Sequence, residues 1–274
     1  MKKLIAILLA AVMVFSLIAC SSDEETRADN QSGSSAESGS DAANSQNTET
    51  IDDAKALPQV ALKDLPATRL SPVPSAKCQS TDGFNGAEIA NQIAISYVGF
   101  IRGQWSNEDV FVFDNPTDYY VSLELRMYPL ENGQRGKSYS RLTTTMLPQT
   151  TVLITSASLG YTHNESDYDM ELTVNEVAPQ DRIENVREWI SYGCADAGAN
   201  TAALKVKNNS NRALYVSFIT LLLKDGEVVY LDASRKISQD DTSDNLASGQ
   251  SGIAEIVAPT AFDSFAVSFF TEPG

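Results

Sequence analysis

The sequence predicts an all-β protein: two tandem β-sandwich units, each of immunoglobulin size, behind a disordered N-terminal tether. Three observations carry this. From about Cys78 onward, short runs of alternating apolar and polar residues are broken by turn residues, the pattern of half-buried strands. The order of those runs returns at offsets of ninety-three to ninety-five residues. The stretch from Ser21 to about Ala56 is built of Ser, Asn, Gln, Gly, Ala, Asp and Glu, and buries too little to offset chain entropy. The expected boundaries are 1–19 for a signal, 20–76 for the tether, 77–180 for the first unit and 181–274 for the second.

The first twenty residues carry a positive start at Lys2 and Lys3, an unbroken apolar run from Leu4 to Phe15, and a close on Leu17-Ile18-Ala19-Cys20. That layout is a secretory signal, and the apolar run is shorter than the ~20 residues a membrane span needs. Leu-Ile-Ala before Cys20 resembles the lipobox of bacterial lipoproteins. The resemblance implies cleavage before Cys20, acylation of its thiol, and a chain held on the outer face of the cell membrane by lipid.

Composition narrows the partners. The formal net charge is −16, and it becomes −18 once Lys2 and Lys3 leave with the signal. Such a surface repels nucleic acid and anionic headgroups, so attachment to a membrane falls to acyl chains and not to a basic patch. The tether, at ~55 residues, spans roughly 40 Å on average. Pro58, Pro66, Pro72 and Pro74 stiffen its approach to the folded part, where Leu57, Val60, Leu62 and Leu65 are expected to dock weakly. With Cys20 acylated, Cys78 and Cys194 remain as an extracytoplasmic pair. A disulfide between them is expected, with two buried free thiols as the alternative.

The strands follow in order. Ile93–Tyr97, Val110–Phe113, Val121–Met127, Thr151–Ile154 and Met170–Val174 form the first unit. Asn115-Pro116-Thr117-Asp118 is one turn; Asn132-Gly133 is a tight hairpin, because both residues accept positive φ. In the second unit Ile190-Ser191-Tyr192 answers Ile95-Ser96-Tyr97, and Asn208-Asn209-Ser210-Asn211 answers the first turn. Val216-Ser217 answers Val121-Ser122, Asp225-Gly226 answers Asn132-Gly133, and Phe262-Asp263 answers Tyr168-Asp169. Five matches in order predict a tandem duplication. Alternation such as Leu204-Lys205-Val206-Lys207 places one face on a core and the other in water. Gln180–Trp189 between the units reads either as a helix or, through Val186, Glu188 and Ile190, as an alternating strand.

The runs Leu204–Ser210, Tyr215–Phe218, Lys224–Glu227 and Leu246–Gln250 resemble the small immunoglobulin-like domains of bacterial surface lipoproteins. Ser248-Gly249, and Leu147-Pro148-Gln149 in the first unit, stand where those domains carry Pro-Gly. The resemblance implies immunoglobulin-like sandwiches, an extracytoplasmic setting and a binding or spacer role, with no catalytic residues to transfer.

Chemical motifs are sparse. The single histidine, His163, lies in the polar loop Tyr161–Ser166, and no nucleophile elbow, phosphate loop or His-Glu-x-x-His is present. Two cysteines and one histidine do not complete a zinc site. Glu165, Asp167 and Asp169, and Asp240, Asp241, Asp244 and Asn245, lack EF-hand spacing and read as solvated strand connections. No cofactor is expected. Trp105, Tyr119, Tyr120, Tyr128, Tyr139 and Tyr161 are aromatic candidates for a ligand surface, with Tyr119 and Tyr120 foremost, since neighbours on a strand face opposite ways. Trp189 is expected to pack at the junction of the units. The expected function is non-catalytic binding or presentation at the cell surface, toward a wall polymer, a glycan or an envelope protein. An accessory subunit of an envelope or export complex, and a hydrolase with carboxylates between the units, are the alternatives.

Overall fold

The computed structural model describes residues 55–156, 165–183, 185–237 and 245–270. Cys20, the signal and His163 lie outside them, as do Tyr161, Asp240, Asp241 and Asp244. The strands in chain order are β1 (Lys55–Ala56), β2 (Thr68–Leu70), β3 (Val73–Pro74), β4 (Ser80–Thr81) and β5 (Phe84–Asn85). A short helix α1 (Gly86–Ala90) precedes β6 (Ala94–Arg102), β7 (Asn107–Asn115), β8 (Val121–Glu131), β9 (Gln134–Arg135), β10 (Ser140–Met146), β11 (Thr150–Ser156) and β12 (Tyr168–Glu176). The chain continues as β13 (Ile190–Gly198), β14 (Thr201–Asn208), β15 (Val216–Lys224), β16 (Glu227–Ile237), β17 (Ser251–Val257) and β18 (Ser264–Phe270).

The protein is all-β, with two tandem sandwiches of matching topology. In the first, sheet 1 runs β10-β8-β12-β3 and sheet 2 runs β11-β7-β6-β2. In the second, sheet 3 runs β16-β15-β18 and sheet 4 runs β1-β13-β14-β17. Setting β6 against β13, β7 against β14, β8 against β15 and so on superposes the two strand orders. The hairpins form as the residues dictate: Asn132 and Gly133 take φ of 54° and 75°, and Asp225 and Gly226 take 53° and 86°. Gln149, at φ 53°, fills the left-handed position that Gly249 takes at 74°.

Three cores hold the molecule. Leu70, Ile95, Phe111, Phe113, Leu125 and Leu172 pack between sheets 1 and 2. Ile190, Leu204, Phe218, Leu222, Ile256 and Phe265 pack between sheets 3 and 4. The third core joins the sandwiches: Val110, Val112 and Leu153 of sheet 2 meet Ile219, Leu221, Leu223, Leu231 and Ala266 of sheet 3. The four sheets are therefore stacked as successive layers, and the two middle ones have no wet face where they meet. This corrects the expectation of one face in water for β7 and β15, whose residues are buried on both sides.

The tether assignment needs a correction too. Residues 55–76 are built into the fold: Leu57, Leu62, Leu65 and Leu70 are all buried. β1 pairs antiparallel with β13, and β2 with β6; β3 pairs parallel with β12, and Gln59 bridges parallel to Phe265. Prolines at 58, 66, 72 and 74 suit sheet edges, where no donor is needed, so they fit an edge segment as well as a spacer. Among the described residues of 180–189 there is no α-helix and no strand. The segment forms two 3-10 turns, Pro179–Asp181 and Val186–Glu188, the second capped by Asn185, whose side chain accepts from Arg187 N at 3.3 Å.

The expected disulfide is absent. Cys78 and Cys194 are free thiols that lie in different cores. Cys78 Sγ donates to Leu172 O at 3.4 Å beside β12, while Cys194 is buried between sheets 3 and 4. The third core and both middle sheets stand between them.

Candidate functional site

The most chemically distinctive surface is the outer face of sheet 1. In β8 the alternation sends Val121, Leu123, Leu125 and Met127 into the core and Glu124, Arg126 and Tyr128 outward. β12 sets Asp169 opposite Tyr128 and Glu171 opposite Arg126. The Asn132-Gly133 turn folds β9 back on β8, and Gly136 N donates to Pro129 O at 2.9 Å. A Cβ at Gly136 would stand 2.9 Å from that oxygen, so the return passes too close for any side chain.

This fold-back lays Arg135 across the face. Its Nε donates to Asp169 Oδ2 at 2.6 Å and its Nη1 to Glu171 Oε1 at 2.8 Å. Its guanidinium lies 4.1 Å over the Tyr128 ring. Tyr128 packs on Tyr139 at 5.0 Å, and Arg126 covers Tyr139 at 4.9 Å. Arg126 pairs in turn with Glu124, which also faces Arg141 at 3.8 Å. The result is one continuous stack of arginine, tyrosine, tyrosine and arginine, flanked by carboxylates. Hydrogen bonds donated to the Asp169 and Glu171 carboxylates raise the pKa of Arg135, and hydrogen bonding to the Tyr128 hydroxyl and Glu124 raises that of Arg126, both above the ordinary arginine range. Tyr139 remains 42 % exposed. Three arginines against three carboxylates make this patch neutral on a strongly acidic molecule. Cation–π stacking fixes both rings in place without burying them, and rigid tyrosine and arginine are the residues that dominate binding surfaces.

The foremost sequence candidates lie elsewhere and have internal partners. Tyr119 donates its hydroxyl to Gly83 O at 2.9 Å and stands edge-on to Phe84 at 5.3 Å, bracing the β4–β5 hairpin. The Tyr120 hydroxyl donates to Ile183 O, and Arg182 lies 5.3 Å over its ring; burial raises its pKa, against the opposing pull of Arg182. Both are half-buried braces, one on a hairpin and one on the linker. Of the other aromatics, Tyr128 and Tyr139 are brought together, and Trp105 stands alone and 89 % exposed at the β6–β7 turn. Trp189 packs against the second core under Arg212, 4.5 Å over its ring. The sequence signal for the stack was the aromatic list itself. No local stretch of sequence shows the arginines of the stack, because Arg135 reaches Asp169 across thirty-four residues.

Among the described residues no cluster of three or more metal-ligating side chains occurs, and no helix is long and apolar enough to cross a membrane. Asp169, one of the acidic-loop candidates, is engaged by Arg135. A small cleft lies where Thr150–Val152 of β11, Asn185 and Arg187 of the linker, and Val267–Phe269 of β18 meet. Arg187 of its lining donates through Nη2, at 3.2 Å, to the Tyr192 hydroxyl, which also accepts from Gln59 Nε2 at 3.0 Å.

No protein-family model and no curated protein sequence matches this chain. Among solved structures, the crystal structure of red sea bream transglutaminase is similar over 66 % of this chain, at 11 % identity and a TM-score of 0.18. The chain spans 31 % of that protein's length.

Proposed function

We propose that this protein is a lipid-anchored, extracytoplasmic binding module whose ligand is taken on the outer face of sheet 1. The observation that supports binding over the alternatives is the exposed, pre-ordered arginine–tyrosine stack of Arg126, Tyr128, Arg135 and Tyr139. A ligand-binding module needs an exposed aromatic cluster on one rigid face, whereas an accessory subunit held by apolar burial needs an extended apolar patch. The lipobox-like Leu17-Ile18-Ala19-Cys20 supports acylation at Cys20 and a place on the outer face of the cell membrane. In this reading Tyr128 and Tyr139, and not the foremost sequence candidates Tyr119 and Tyr120, contact the ligand. A wall polymer, a glycan or an envelope protein is the ligand.

The test is capture on intact cells and purified wall with residues 21–274, wild type against Tyr139→Ala and Arg126→Ala. Loss of capture or sedimentation by tenfold or more in both variants, with unchanged thermal unfolding, is expected. Unchanged capture by both variants overturns the site. Acylation is checked separately: labelled palmitate enters the wild-type chain and not Cys20→Ala.

A further inference from the structure

The N-terminal residues of the described chain visit every layer of the stack in order. Leu57 N donates to Cys194 O at 2.9 Å, and its side chain enters the core of the second sandwich. Phe265 N donates to Pro58 O at 3.0 Å and Val60 N to Phe265 O at 2.7 Å, so the segment crosses from the edge of β13 to the edge of β18. Leu62 and Leu65, on and just after a 3-10 turn at Leu62–Asp64, then enter the core between the sandwiches. Leu70 enters the core of the first sandwich from β2, and β3 closes on the edge of β12, where Ser75 N donates to Leu172 O at 2.9 Å. Each of the three cores thus receives at least one leucine from this segment.

The parallel bridge between Gln59 and Phe265 on β18 resembles the parallel pairing of Pro74 and Leu172 on β12. Six-stranded sandwiches lack the seventh strand that closes an immunoglobulin-type sheet beside this position. The segment supplies both closures. Its hold on the second sandwich is short, however: two residue pairs at β1, one bridge at Gln59, the hydrogen bond from Gln59 Nε2 to the Tyr192 hydroxyl, and one leucine. Its hold on the first is longer, three pairs at β2 and two at β3.

We infer that Lys55–Pro74 is a traction-sensitive strap: load applied upstream of Lys55 peels it in chain order, freeing the second sandwich and then the space between the sandwiches while the first stays strapped. Lys55 enters at sheet 4, and the arginine–tyrosine face lies on sheet 1, at the opposite end of the stack. Tension between an anchored N-terminus and a ligand on that face therefore crosses all four layers, and the strap is the continuous covalent path. An edge strand loaded at its end loses its hydrogen bonds singly, not together, so the short β1 and the lone Gln59 bridge yield first. Withdrawal of Leu62 and Leu65 then opens the joint between sheets 2 and 3. The inference rests on the anchored reading for its load, and on geometry alone for its order.

Optical tweezers test it on the chain from residue 21 to 274, with one handle at the N-terminus and one in the exposed loop at Lys137. The expected trace has a low-force, reversible step before any unfolding. Its length gain is at most about 40 Å, the reach of the eleven residues from Lys55 to Leu65 at ~3.5 Å each. Leu62→Ala with Leu65→Ala should lower the force of the end of that step. A first event that gains much more than about 40 Å must draw on residues 66–137, so it means the first sandwich gives way before the strap peels, and overturns the inference. So does a single rupture without any early step, and the wild-type trace alone decides both. Because the handles replace both anchor and ligand, this outcome is independent of the capture assay with Tyr139→Ala.

Discussion

Asn115 and Asn208, ninety-three residues apart, make the same four hydrogen bonds. Asn115 Nδ2 donates to Tyr119 O at 2.9 Å and Leu147 O at 2.8 Å, and its Oδ1 accepts from Thr117 N and Thr117 Oγ1. Asn208 Nδ2 donates to Arg212 O and Leu246 O at 2.6 and 2.9 Å, and its Oδ1 accepts from Ser210 N and Ser210 Oγ. Both side chains are fully buried. Each ends the second strand of its sandwich and ties the following turn to the residue that leads into the fifth. A network reproduced to the atom in both units is what a duplicated ancestor would leave, and it explains why the Asn-rich turns stood out in the sequence.

Replacing either asparagine therefore has a calculable effect. Asn115→Ala or Asn208→Ala leaves two backbone carbonyls without their donor in a dry site, and each such group costs about 1–3 kcal/mol. A loss of about 3 kcal/mol is expected for each variant, equal within error, read as a lower urea midpoint at unchanged slope. Stability within about 0.5 kcal/mol of wild type at either position would mean that the turns hold without the network.

The joint between the sandwiches predicts shared unfolding. Leu221 is fully buried between sheets 2 and 3, and Leu204 between sheets 3 and 4. Leu→Ala at either site should remove about 2–5 kcal/mol. Because sheet 3 belongs to both cores, both variants should shift one common calorimetric transition. Two separated transitions in the wild type would show that the sandwiches unfold independently.

The turns and the repeat were readable because their signals are local. Asn132-Gly133 and Asp225-Gly226 specify positive φ by their own chemistry, and both adopt it. The joint had a signal that alternation obscured. Val110-Phe-Val-Phe and Phe218–Leu223 are almost continuously apolar, the mark of strands buried on both faces, but the alternation of neighbouring runs such as Leu204–Lys207 points to half-wet strands. The strap was hidden by its prolines, which suit a linker and a sheet edge equally. The arginine–tyrosine face depends on the register of β8 with β12, a relation between distant segments that no window of sequence contains.

The cysteines predict a difference in reactivity. Cys194 is buried, and desolvation pushes its thiol up to about 12 against a small opposing effect of the Ala195 backbone. Thiolate is the reactive form, so native protein at pH 8 should leave Cys194 unmodified by iodoacetamide over hours. After denaturation without reductant, mass spectrometry should count alkylation at both Cys78 and Cys194. A missing pair of alkyl groups would reveal a bridge and contradict the separation of the two cores.

Asp263 makes the pH dependence of the second hairpin predictable in sign. Its Oδ2 accepts from Asp225 N at 3.0 Å and Lys224 Nζ at 3.1 Å, and its Oδ1 from Ser264 Oγ at 3.0 Å. The Asp225 amide first, and Lys224 second, lower its pKa below the usual carboxylate value, while the Asp263 hydrogen bond raises that of Lys224. A carboxylate whose folded-state pKa is depressed adds stability that is complete above the unfolded value, about 3.9, and is lost as pH falls through the lower folded one. The Asp225–Gly226 turn should therefore keep its clamp through mild acid and release it only below about pH 3.9. The Asp225 amide resonance reports this directly: its shift should titrate with a midpoint below that value in wild type and lose the transition in Asp263→Asn. A wild-type midpoint at or above the ordinary carboxylate range would mean that the Asp263 carboxylate does not hold the turn.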